Sequence, residues 1–575
     1  MSGRDRRSAG LGAVAGVLAA GAALGAGQFV AGLTGASGSP VVAVGELQID
    51  FTPPWLKNFA ISEFGSHDKQ VLVGGILVVL GIFAAVIGAA ATRRMAYGLA
   101  GVAVFAIIGL TAAATRPTAT VASLLPTLAA TAAAAAVLLV LIPLTGPASA
   151  AVERARADEP APEAKPLTAP DLPSATDLPS ATDLPSATDL PSAPDLPSAP
   201  DLPSAEGLRA GPPPPAALAL EGPRRRTFLA AAAATAGIAA GAGLAGRLLT
   251  ERSSVASAQK AVRIPRPSVA TQPLSAGTDL HIPGLSPFVT PNADFYRVDT
   301  ALVLPQVDPS SWQLRIHGLV NREITLTFDD LIKRPLIEDY ITLCCVSNPV
   351  GGPYIGNAKW LGASLAAVLR QAGIKAGADQ LLCTSVDGFT SGTPVQTVMD
   401  GRDALLAVAM NGQALPVAHG FPVRMVVPGL YGYVSATKWV TDINVTTFAG
   451  NYAFWAQRGW SQQAPIKTEC RIDVPNLSPV KAGTTAVAGV AWAQHKGIEA
   501  VQVRVDSGPW REARLAAVPG IDCWRQWVWE WDATPGGHLI EARATDKTGY
   551  TQTSVQAQPE PNGASGYPSV SVTVS

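Results

Sequence analysis

The sequence predicts a chain in three parts: an α-helical membrane-spanning region, a mixed α+β domain and a terminal all-β sandwich. Charge-free Ala/Gly/Val/Leu tracts dominate the first 250 residues, short alternating segments and an amphipathic helix follow, and from residue 469 onward only alternating strand patterns remain. At 575 residues the chain also exceeds one core, at about 100 to 200 residues per domain. Its formal net charge of −1, without any Lys/Arg stripe carrying interleaved aromatics, argues against nucleic-acid binding.

Residues 1–150 form the first unit. Four tracts, 8–45, 70–92, 95–115 and 117–151, carry no charge and meet the roughly 20 residues that a helix needs to cross hydrocarbon. Four in succession, two of them joined only by Arg93-Arg94, read as spans rather than buried soluble helices. Arg4, Arg6 and Arg7 before the first tract and Arg93-Arg94 before the third set these ends in the cytoplasm, so 46–69 faces outward. The span centres hold no charged or His residue, which favours an anchor or assembly role.

Residues 151–223 are a linker. Asp-Leu-Pro-Ser-Ala-Thr/Pro recurs every six residues from Asp171 to Asp201, and a proline in each repeat with one large apolar residue makes an extended spacer rather than a core. At 224–250, Arg224-Arg225-Arg226-Thr227-Phe228-Leu229 precedes an Ala/Gly tract. This is a fifth span or an internal segment resembling a twin-arginine export signal. Either places the remainder on the extracytoplasmic side of the cell membrane. Ala256-Ser257-Ala258 also fits a signal-peptidase site that would release it.

Residues 262–468 form the α+β domain. Tyr340–Leu343 reads as a strand and 348–353 as a loop, so Cys345 stands at a strand end; Ser364 to Ala372 reads as a helix with Leu365, Val368 and Leu369 on one face, stopped by Gly373. On chemistry alone Cys345 fits three roles: a small buried hydrophobe, a nucleophile with His419 as base, or a soft metal ligand. Adjacent Cys344-Cys345 with no third Cys or His nearby lacks zinc-site spacing. Arg424 suits an anion or a plain salt bridge, and His419 beside Gly420 suits a cofactor contact or a turn.

Several segments together resemble the molybdopterin-dependent oxidoreductases of the sulfite oxidase family. They are Asn292-Ala293-Asp294-Phe295-Tyr296-Arg297, Thr342-Leu343-Cys344-Cys345-Val346-Ser347-Asn348, Ile355-Gly356-Asn357-Ala358-Lys359-Trp360, His419-Gly420-Phe421-Pro422-Val423-Arg424, Thr437-Lys438-Trp439 and Arg458-Gly459-Trp460-Ser461. The resemblance implies a molybdenum–molybdopterin cofactor with Cys345 as the metal's thiolate ligand. Arg424, Lys438 and His419 would hold the cofactor, Asn292, Tyr296 and Arg297 would line the other side of the pocket, Asn348 would close the cysteine turn, and Asp387 would match a pterin-binding carboxylate. Arg297 and Trp460 would also stand at the substrate. Two departures bear on substrate: Pro349 and Val350 follow the turn where sulfite oxidases place arginines, and Trp460 falls near the position of their active-site tyrosine.

Residues 469–575 alternate as strands, with Val501, Val503 and Val505, then Trp527, Trp529 and Trp531, then Ile540, Ala542 and Ala544. They resemble the immunoglobulin-like dimerisation domain of the same family, which implies a homodimer. Trp492, Trp510 and Trp524 are expected in its core, and pairing of Cys470 with Cys523 is left open. The resulting expectation is a membrane-anchored oxidoreductase that transfers an oxygen atom to or from a small substrate such as sulfite or a sulfoxide. The alternative is a tethered binding or adhesion module that has lost the metal. No haem, iron–sulfur or dinucleotide motif is present, so electrons would pass to or from a separate cytochrome or quinone.

Overall fold

The computed structural model describes residues 3–34, 40–52, 68–116, 119–145, 222–252, 255–476 and 479–575. Its first part consists of helices α1 (Gly3–Thr34), α2 (Pro40–Phe51), α3 (Asp68–Ala91), α4 (Met95–Ala114), α5 (Val121–Leu141) and α6 (Gly222–Arg252). Among the described residues, five helical segments are long and apolar enough to cross a membrane: Arg7–Thr34, Lys69–Ala91, Met95–Ala114, Val121–Thr145 and Arg226–Thr250. The first expected tract, 8–45, holds helix α1 up to Thr34 and the start of the 12-residue α2 at Pro40, a residue that suits a first helical position; residues 35–39 lie outside the described residues. Residues 53–67 of the loop expected to face outward and 146–221, nearly all of the expected linker, lie outside the described residues.

Helix α1 packs against α3, α5 and α6, and small residues allow the close approach. A Cβ at Gly16 would strike the Ala84 carbonyl and one at Gly88 the Gly12 carbonyl, the backbone proximity that glycine gives helices in lipid. Val78, Ile82, Phe83 and Val86 of α3 point outward and exposed, which suits a hydrocarbon surround rather than water.

After α6 the buried Val255 donates its N–H to the Gln306 side chain at 3.1 Å, and Gln259 donates to the Leu415 carbonyl at 2.6 Å. The peptidase-like 256–258 stretch starts a short helix, Ala256–Ala261, tied to the α+β domain just before its first residue and at Gln259 rather than lying extended.

Two five-stranded sheets build the α+β domain. One has the order β2 (Ile324–Thr327), β1 (Gln313–Gly318), β10 (Val440–Thr446), β5 (Gln380–Ser385), β6 (Thr390–Pro394), with β1 and β10 parallel. The other runs β3 (Leu336–Cys344), β4 (Ile355–Ser364), β7 (Leu405–Met410), β8 (Gln413–Ala414), with β9 (Arg424–Val426) also paired to β7. The helix read from Ser364 forms over Leu365–Ala372: Ser364 accepts the Ala367 N–H, Leu365, Val368 and Leu369 are buried, and Gly373 ends it at a φ of 71°.

The terminal unit stacks two four-stranded sheets. Their orders are β11 (Glu469–Val474), β12 (Gly483–Trp492), β16 (Arg525–Ala533), β15 (Arg514–Leu515), and β14 (Arg511–Glu512), β13 (Ile498–Val505), β17 (Gly536–Asp546), β18 (Ser569–Val574). Trp492 and Trp524 are buried, in the cluster shared with the α+β domain, but Trp510 is not in a core. It lies 4.5 Å from the Arg504 guanidinium and 4.3 Å from that of Arg543. Both arginines alternate with buried Val503, Ala542 and Ala544, so they and Trp510 occupy the outer face of that sheet. Cys470 and Cys523 are not paired; all five cysteines are free.

Strand β3 is outermost in its sheet, and other segments complete its open edge. The Glu338 N–H donates to the Val269 carbonyl at 2.9 Å and the Thr342 N–H to the Asp522 carbonyl at 2.9 Å, while Gln494 donates to the Thr342 carbonyl at 3.1 Å. The sandwich thus grips the strand that leads into Cys345.

Candidate active site

Strand β3 ends at Cys344, whose side chain is fully buried in the core, and the chain turns at Cys345. The loop back to β4 is held by its own backbone. Cys345 N–H donates to the Tyr354 carbonyl at 2.9 Å, Asn348 N–H to the Cys345 carbonyl at 3.1 Å, and Tyr354 N–H to the Asn348 side-chain oxygen at 2.8 Å. Asn348 is buried with its amide nitrogen unpartnered. Burial pushes the Cys345 thiol pKa up, against the Ser347 backbone and side-chain donors and the Lys438 charge, all of which favour the thiolate.

Lys438, whose charge acts on this thiol, belongs to a cluster of cations with Arg424 and Arg297. Arg424 opens β9, and its buried guanidinium donates to the carbonyls of His419 and Ala436, both at 3.2 Å. It lies 5.0 Å from the Trp360 ring centroid, and no carboxylate pairs with it among the described residues. Burial lowers its pKa to about 10, so it stays charged at neutral pH. Gly420, at a φ of 110°, lets the chain pass where a Cβ would sit 2.9 Å from that of Arg424 and 3.1 Å from that of Lys438. Lys438 donates to Asp299 at 2.7 Å, and burial lowers its pKa to about 8 against that carboxylate's pull.

His419 is buried, its Nε2 3.1 Å from the Asn292 carbonyl. Burial, with Arg424 and Lys438 nearby, lowers its pKa to about 4. The ring is neutral near pH 7, and because a carbonyl only accepts, Nε2 carries the proton and Nδ1 the lone pair. Tyr296 stacks on Phe295 at 5.3 Å, and burial with the two neighbouring cysteines pushes its phenol well above the usual value.

Residues 301–455 match a family model described as the oxidoreductase molybdopterin binding domain. The chain is 32% identical over 293 residues to mitochondrial sulfite oxidase of Mus musculus, covering 42% of this chain and 52% of that protein. It is 31% identical over 286 residues to the sulfite oxidase of Arabidopsis thaliana, covering 41% of this chain and 72% of that one. The chain belongs to the sulfite oxidase family. It spans about half the length of the mammalian relatives it matches. Among solved structures, the sulfane dehydrogenase SoxCD of Paracoccus pantotrophus aligns with a TM-score of 0.44 at 22% identity, over 53% of this chain and 88% of that one.

Membership of the sulfite oxidase family implies the molybdenum–molybdopterin cofactor, and the residues fit it. A buried guanidinium without a carboxylate and a buried amide nitrogen without a partner are both costly unless an acceptor-rich anion meets them, and Cys345 supplies a soft donor beside them.

Of the residues singled out in the sequence, the fold gathers Cys345, Asn348, Tyr296, Asn292, His419, Arg424 and Lys438. Asn292 is fixed by the Asn411 amide, which donates to its side-chain oxygen at 2.8 Å. Arg297 lies close enough for its charge to act on His419 and Lys438, its Nε donates to Asp299 at 2.8 Å, and its side chain is 35% exposed. Asp387 accepts the Phe389 N–H at 3.2 Å and so caps its own turn. Trp460 is buried edge-on to Tyr433 and Trp455, both at 6.0 Å.

Three residues were not singled out from the sequence. Asp299 binds three cations, Ser347 donates to Cys345, and Tyr433 lies close enough to Cys345 for the thiolate to raise its phenol pKa, after burial. Their signals are an Arg-x-Asp spacing, a hydroxyl two residues past the cysteine, and Tyr431-Gly432-Tyr433.

Proposed function

We propose that this chain is a membrane-anchored, extracytoplasmic molybdenum oxidoreductase that moves an oxygen atom to or from a small substrate such as sulfite or a sulfoxide. The observation that carries this reading is that Cys345 at the end of β3, within reach of the Lys438 charge, shares the neighbour Tyr296 with the buried Arg424, which no carboxylate pairs among the described residues. A metal-free adhesion module would retain that uncompensated charge without any gain.

When bound, the molybdenum centre supplies two-electron oxygen-atom exchange. Oxidation of sulfite with water then yields sulfate, two electrons and two protons, and reduction of a sulfoxide runs the opposite way. Cys345 would ligate the metal as a thiolate, favoured by the Ser347 donors. Arg424 and Lys438 would hold the cofactor phosphate, Arg424 through its planar fork. Neutral His419 would offer a lone pair at Nδ1 while Nε2–H keeps Asn292 in place. Tyr433 would carry the ionisable hydroxyl that Trp460 lacks, donating now to the Ser461 carbonyl. Arg297 is the accessible cation near the site, so sulfite or another anion would meet weaker capture than a run of arginines provides.

The contacts of Lys69 at the start of α3 and Val255 just after α6 with the α+β domain support one topology. These two ends share the side on which that domain sits, and the arginines at the opposite ends support the extracytoplasmic assignment. A cytochrome or quinone would exchange the electrons, and the sandwich would supply a homodimer contact. Metal and pterin analysis of the purified full chain tests the reading: stoichiometric molybdenum is expected, and its absence from protein made in molybdate-replete cells would overturn it.

A further inference from the structure

Asp299 is the most heavily contacted ionic group beside the site. Its Oδ1 accepts Lys69 Nζ at 2.5 Å and Arg297 Nη2 at 3.2 Å, and its Oδ2 accepts Arg297 Nε at 2.8 Å and Lys438 Nζ at 2.7 Å. The carboxylate side chain is only 7% exposed, and its pKa is lowered well below the carboxylate range by these cations, Lys438 first, against the opposing effect of burial.

The three cations come from different parts of the chain. Arg297 lies on the segment entering the α+β domain and Lys438 just before β10, whereas Lys69 is the second residue of spanning helix α3. Lys69 also donates to the Ala301 carbonyl at 2.7 Å. Nearby, Gly45 of α2 lies against the Leu302 side chain, and Val255 donates to Gln306. Residues 297–306 are therefore where the membrane helices meet the domain that carries the site.

We propose that Asp299 is a positioning residue for Lys438 and that Lys69 orients it, so that a membrane helix forms part of the cofactor site. This rests on the molybdenum-cofactor reading above. Lys69 sits on the carboxylate oxygen opposite the one that holds Lys438. Without it, Oδ1 keeps one long contact to the half-exposed Arg297, and the carboxylate is free to follow Arg297 outward. Lys438 would then be left buried beside Arg424 without its counter-charge, a cost of the kind that breaks ion pairs from the inside.

The test uses the full chain in detergent or nanodiscs as wild type, Lys69→Met, Lys69→Arg and Asp299→Asn. Molybdenum and pterin per protein, and the rate of cofactor loss on dilution, are followed from pH 6 to 9. Lys69→Met should lose cofactor about tenfold faster, the effect of one charge-assisted hydrogen bond, with the loss steepening toward pH 9, while Lys69→Arg stays near wild type. Wild-type retention and pH profile in Lys69→Met would overturn the proposal and leave the cofactor reading intact. A Lys69→Arg variant as leaky as Lys69→Met would make the effect one of packing and also overturn it. Wild type without molybdenum would remove both. If Asp299→Asn fails to fold, the Lys69 pair still decides.

Discussion

Tyr433 turns its ring edge toward Trp460 at 6.0 Å between centroids and 63° between planes, with its hydroxyl donating to the carbonyl of the next residue, Ser461. The indole and a phenol that lies close enough to Cys345 to be raised by its charge thus stand side by side. A Tyr433→Phe variant should keep its molybdenum content and lose turnover by about a hundredfold, the usual range for a lost proton donor. Steady-state kinetics beside metal analysis checks this; unchanged kcat would remove Tyr433 from the chemistry.

Cys345 and Cys344 should separate cleanly. Cys345→Ser is expected to fold and carry no thiolate-bound metal, read as loss of the sulfur–molybdenum absorption. Cys344→Ala should keep the metal and lose about 1 kcal/mol of stability, as a small cavity in a buried position costs.

Thr342 links β3 to the sandwich through its side chain as well. Its hydroxyl donates to Asn357 at 2.9 Å and accepts the Trp524 N–H at 2.7 Å. Thr342→Val removes both and strands a buried N–H and a buried carbonyl oxygen, so a loss of about 2 to 3 kcal/mol is expected. Denaturant midpoints measure it, and a change below 0.5 kcal/mol, the scale of ordinary surface substitutions, would mean the grip on β3 is slack.

Glu469 opens β11 as a buried carboxyl with one oxygen unpartnered, and burial raises its pKa to about 8 against the pull of Lys467. Its ordinary value is 4.5, so the folded state holds a proton that the unfolded chain has released. The associated stability is complete below pH 4.5 and is lost as pH rises through 8, at no more than roughly 1.4 kcal/mol per pH unit. Glu469→Gln should flatten that decline between pH 5 and 8 in thermal melts. An equal slope in the variant would place the proton elsewhere.

Much of this was legible because it is local or periodic. Charge-free length marked the spans, Ser364 and Gly373 bracketed a helix, and a strand pattern put Cys345 at its end. The gathering of Cys345, His419, Arg424 and Lys438 was legible only through family resemblance, since no spacing rule links a strand end to a turn so far along the chain. Asp299 and Tyr433 escaped notice because their importance lies in partners remote in sequence, Lys69 and Lys438 for one and Cys345 for the other. Trp510 misled because indole is usually core material, and its two flanking arginines arrive from separate strands.

The pairing of β3 with residues 494 and 522–524 also bears on what a shortened chain would do. Cut ahead of Glu469, the protein would keep residues 268–269 on the first half of β3 but present the backbone groups around Thr342 to solvent, next to the apolar Ile341 and Leu343. Such unpaired groups recruit foreign strands. The sandwich is then a built-in protector against self-association, and fragments expressed without it should precipitate before they can be assayed.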